Sequence, residues 1–100
     1  MSRIIEFLEA IQKRPLMYFG RIEVEKIEDL LHGFRLGCFA STDKEEITNL
    51  YVRVRGEILA EGRKDSAEMK KSGASESEIV DEIFKIEIEI WRRLEKILAQ

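Results

Sequence analysis

Residues 42–58, TDKEEITNLYVRVRGEI, admit two readings, and the choice between them sets the fold class. Leu50 to Arg55 alternates as a half-buried strand does. Over the wider window, Ile47, Leu50, Tyr51, Val54 and Ile58 fall at i, i+3, i+4, i+7 and i+11, one face of a helix. Thr42 and Glu45 have the spacing of a capping box, with Thr42 capping and Glu45 reaching back. The alternation lasts only about five residues and finds no partner strand elsewhere. The stretch therefore predicts a helix, and with it an all-α chain.

Working outward, the segment from about Arg3 to Lys13, with Ser2 as its N-cap, places Ile4, Phe7, Leu8 and Ile11 on one helical face. Pro15 ends it, because proline lacks an amide hydrogen and disfavours the α conformation of the preceding residue. The connection PLMYFGRIE (15–23) is apolar for a loop, so Leu16, Met17, Tyr18 and Phe19 are expected to fold back onto the core. Gly20 supplies the freedom to turn.

A second helix is expected over Val24–Ala40. Ile27, Leu30, Leu31, Phe34 and Cys38 form its stripe, and Glu28, His32 and Arg35 lie on the other side. Gly33 and Gly37 each cost up to ~1 kcal/mol against alanine inside a helix. Close approach of another helix, rather than a ligand contact, is the expected reason.

Residues 62–73 turn polar, as an exposed helix or a loop. Ser75 and Glu78 offer another capping box, opening a helix to about Leu98. Its seam is Ile79, Ile83, Ile86, Ile90, Leu94 and Ile97, widened by Val80, Phe84, Trp91 and Leu98. Ile88 falls off that seam. Glu87 beside Trp91 reads as a solvated face, and Glu89 with Arg93 as a favourable i, i+4 pair. The expectation is one domain over residues 1–100, a compact four-helix bundle-like arrangement.

The 100 residues carry 17 basic and 20 acidic groups, a net charge of −3, and the whole imbalance falls in residues 76–100. No basic stripe suggests nucleic-acid binding. No run approaches the ~18 apolar residues of a membrane span. Charges at Arg3, Glu6 and Glu9 break any signal-like start, and the single cysteine, Cys38, cannot form an internal disulfide. A cytoplasmic protein is expected.

Sites of chemistry are scarce. One histidine, His32, cannot supply two E-x-x-H halves or a Cys/His zinc set. His32 and Cys38 are six apart, on different faces of one helix, so they form no dyad within it. The glycines make neither G-x-G-x-x-G nor a P-loop. Neither catalysis nor a cofactor is expected. Glu76, Glu78, Asp81 and Glu82 crowd the first turns of the last helix, where carboxylates complement the exposed amides. They are also the candidate contacts for a basic partner. A polar pocket around Arg14, Tyr18 and Tyr51 would instead point to a small ligand or an enzyme.

The string EAIQKRPLMYFG (9–20) is the most distinctive one in the chain. It is similar to E-A-V-R-K-R-P-G-M-Y-I-G near the start of the nucleotide-binding domain of DNA gyrase B subunits. The D-x-G-x-G loop and the α/β pattern of that family are missing here. More extensively, Arg14, Pro15, Met17, Tyr18 and Gly20, followed by Leu30, Leu31, Gly33 and Phe34, resemble small bacterial immunity-type proteins of toxin–immunity and contact-dependent inhibition systems. Those proteins carry R-P-x-M-Y-x-G after a first helix. The resemblance covers about the first forty residues and implies non-covalent binding of a cognate protein toxin. Physically, Arg14, Pro15, Met17, Tyr18, Gly20 and Gly33 read as architecture: a helix stop, a turn and plugs between helices. The alternative is a homodimeric structural or regulatory module, its last helix pairing through Ile88.

Overall fold

The deciding stretch is helical. In the computed structural model, which describes residues 2–13, 23–40 and 44–99, Lys44–Ala60 forms one unbroken helix. In chain order the helices are α1 (Ser2–Lys13), α2 (Val24–Ala40), α3 (Lys44–Ala60), α4 (Ser66–Lys71) and α5 (Glu76–Leu98), with no strand among the described residues. Arg14, Pro15, Met17, Tyr18 and Gly20, and the Thr42 half of the first capping box, lie outside the described residues.

Four long helices match the expectation, and the polar stretch between α3 and α5 adds a fifth, short one. Two glycines delimit it. Gly62, at φ 109°, closes α3 with its amide on the Leu59 carbonyl at 3.2 Å. Gly73, at φ 83°, follows α4, where the amides of Gly73 and Ala74 return to the carbonyls of Lys70 and Met69. That pairing is a Schellman cap, and it needs a residue free to take positive φ. Asp65 caps the start of α4 by accepting the Glu68 amide at 2.9 Å.

Helix α5 organises the domain. Its 23 residues extend about 34 Å at 1.5 Å per residue, and α1, α2, α3 and α4 all pack against it. The second capping box forms as expected, with Ser75 and Glu78 exchanging bonds at 3.2 Å. One contiguous core runs through Leu8 and Ile11, Val24, Ile27 and Leu31, Tyr51, Val54 and Ile58, and Phe84, Ile90, Trp91 and Leu94. Phe34 meets Trp91 edge-on at 6.4 Å and stacks on Phe7 at 5.4 Å.

Three expectations are corrected here. Ile88 is buried rather than off the seam. Helix α1 lies along that flank of α5, held by Gln12 donating to Asp81 (3.2 Å) and Arg92 to Glu9 (2.9 Å). Glu87 is also buried, 3% exposed. Around Gly33 and Gly37 no helix approaches among the described residues, where a Cβ added at either would meet nothing within 4 Å. The bare stripe of α2 faces outward.

Candidate functional site

Glu87 stands where α2, α3 and α5 converge. Its neighbours one turn away on α5 are the buried Phe84, Ile90 and Trp91 and the half-buried Ile83, so the arc that packs them takes the carboxyl group inward as well. There it meets groups that only donate or donate readily. The Tyr51 hydroxyl, from α3, lies 2.7 Å from Oε1 and 2.9 Å from Oε2. Trp91 donates its indole N–H to Oε2 at 3.0 Å. From α2, Arg35 brings Nε to 3.4 Å of Oε1, an ion pair without a hydrogen bond. The guanidinium carbon of Arg35 sits 5.3 Å from the centre of the Tyr51 ring, within cation–π range.

An ionised carboxylate is the complement of that donor set. Burial, reinforced by the negative charge of Glu87, pushes the Tyr51 hydroxyl far above its ordinary value, and its proton stays on the hydrogen bond. Cys38 packs against the core, and burial followed by the charge of Glu87 pushes its thiol up as well. A raised thiol is an inert one.

Outside this cluster a cleft of about 560 Å³ opens to solvent. Arg35, Tyr51 and Glu87 form its inner end, Ile83 and Ile86 lie beside them, and Glu28, Asp29, His32, Val52 and Arg55 line the rest with Asp65 and Ser66. Of the three residues whose polar pocket would point to a small ligand or an enzyme, Tyr51 lines this open cleft, while Arg14 and Tyr18 lie outside the described residues. His32 lines the cleft and Cys38 packs inward, so the two are on separate faces. Among the described residues no group of three or more His, Cys, Asp or Glu is arranged to hold a metal ion.

The four acids of α5 look different once their contacts are known. Glu78 belongs to the capping box. Asp81 accepts from Gln12 and pairs with Lys85 at 2.9 Å, and the Lys85 hydrogen bond holds its carboxyl below the usual range. Glu82 pairs with Arg63. Glu76 is exposed in the first turn. Thus the structure gathers the quartet at one helix end, but three of its members serve the fold. Glu89 and Arg93 pair at 3.1 Å as expected, and Arg93 also forks onto Glu61 with two 2.8 Å bonds.

The chain matches no known protein family, no curated protein and no solved structure. No helix among the described residues is long and apolar enough to cross a membrane.

Proposed function

We propose that this chain is an immunity-type protein that neutralises a cognate bacterial toxin in the cytoplasm, by non-covalent binding that blocks the toxin's active site. Neither turnover nor a cofactor is involved. The observation that carries the reading is the Arg14-Pro15-Leu16-Met17-Tyr18-Phe19-Gly20 string with Leu30, Leu31, Gly33 and Phe34 behind it, the last four on the single helix α2. Two physical features support it. Glu87 ties three helices together, and a face that is rigid before binding loses less freedom on association. A standard interface takes ~800 Å² per partner, about an eighth of the 6441 Å² this chain exposes, so one helical face is enough.

Co-expression with the product of the adjacent toxin gene tests the reading. A one-to-one complex on size exclusion, with toxin activity lost, is the expected result. Absence of a complex at micromolar concentrations contradicts it. The homodimer reading through Ile88 loses its contact, because α1 covers that residue. Light scattering that shows a concentration-independent dimer with no bound partner would restore a homodimer through another face.

A further inference from the structure

We infer that the partner docks on the α2–α3 cleft, not on the acidic start of α5, and that it presents a basic, lysine- or arginine-bearing segment there. This deepens the binding reading above and rests on it. The distinction comes from which carboxylates the fold already engages. On α5, Glu78, Asp81 and Glu82 have intramolecular partners. On α2, no side-chain hydrogen bond or ion pair among the described residues engages Glu25, Glu28 or Asp29, and all three are exposed. Arg35 is matched by Glu87, and Asp65 by the amide it caps. Two free carboxylates of the lining, Glu28 and Asp29, thus face one guanidinium, Arg55, with Glu25 one turn further along α2, so the open charge at this cleft is negative.

Apolar surface and bare backbone adjoin that charge. Glu25, Asp29, His32 and Leu36 follow one another at i, i+4, i+7 and i+11, a single strip of α2, and Leu36 is 50% exposed. Across the cleft Val52 is 64% exposed. Gly33 lies next to the strip on α2, and Gly56 lies one turn after Val52 on α3. At both, a Cβ would meet nothing within 4 Å. Among the described residues nothing packs against these helical glycines, and the open surface suits a closely approaching partner backbone. A lysine or arginine side chain suits the cleft in both parts, its stem along Val52 and its charge toward Glu28 and Asp29.

Titrating the ¹⁵N-labelled full chain with hexalysine tests this directly, with hexaglutamate as the control. The expected result is movement of the Asp29, His32 and Val52 amide signals by hexalysine alone, weakening as salt rises. The double variant Glu28→Gln/Asp29→Asn should weaken binding by roughly tenfold, the equivalent of about 1.4 kcal/mol, and Glu76→Gln should leave it unchanged. Shifts centred on residues 76–82, equal shifts with hexaglutamate, or no shift at millimolar peptide overturn the inference. A toxin complex indifferent to Glu28→Gln/Asp29→Asn overturns it too, while leaving the immunity reading in place. Cleft-centred hexalysine shifts with no toxin complex support the basic-segment surface and remove the toxin as its partner.

Discussion

Replacing Glu87 with leucine keeps the side chain's approximate size and removes the acceptor at the junction of three helices. The Tyr51 hydroxyl and Trp91 indole N–H are then left inside without their partner, at ~1–3 kcal/mol each. Arg35 loses its counter-charge, but its side chain is 26% exposed, so water recovers part of that loss. The sum is about 3–5 kcal/mol, the usual range for breaking a buried pair from one side. A domain of this size has only ~5–15 kcal/mol in total. Glutamine should cost less, about 1–2 kcal/mol, because its oxygen still serves Trp91 and its nitrogen can donate to the Tyr51 oxygen. Adding Tyr51→Phe to Glu87→Leu removes one orphaned donor, so the double variant should be less damaged than the two single effects summed. Urea unfolding followed by circular dichroism and by the fluorescence of the single tryptophan, Trp91, measures the parent and the four variants, Tyr51→Phe alone included. A Glu87→Leu variant within ~0.5 kcal/mol of the parent would behave as a surface substitution, and would refute the buried cluster.

Removing the cap of α5 with Ser75→Ala should cost ~0.5–2 kcal/mol, read as a lower urea midpoint with unchanged slope. Gly33→Ala should stabilise the free chain by up to ~1 kcal/mol, since the position is helical and spatially open; a loss of stability would show a neighbour packed there. On the alkaline side, Tyr51 has a folded value above its unfolded one near ~10. Its contribution is therefore complete below that pH and is lost as pH rises beyond it. In a Tyr18→Phe background, tyrosinate absorbance should appear only with unfolding, and Tyr51→Phe should flatten the alkaline limb of stability. Ionisation near pH 10 in the folded chain would contradict this.

The helices were legible because they announce themselves locally. Val24–Ala40 carries a five-residue apolar stripe, and Ser75 with Glu78 marks the start of α5 three residues apart. What escaped were the features set by how helices meet. Glu87 reads as surface if only its charge is considered, yet all four of its one-turn neighbours are apolar, and Trp91 among them needs an acceptor. That pattern was the available signal. Glu89, with Lys85, Arg92 and Arg93 around it, lacks it. Ile88 could not be placed because a helix buries a wide arc only when neighbours lie on two sides, and periodicity does not say where α1 goes. The glycines of α2 failed for a related reason: spacing alone cannot tell a covered bare stripe from an open one. Likewise, the acidic quartet of α5 was visible as charge, but its partners on α1 and beyond α3 were not.

The most direct test of the proposed recognition without turnover is a calorimetric titration of the full chain into the toxin domain that the proposal places in the adjacent gene, with toxin activity assayed in the same samples. Heat should saturate at one equivalent, and activity should vanish in step with it. Protection complete at a small fraction of an equivalent, or no heat at micromolar concentrations, would contradict the account.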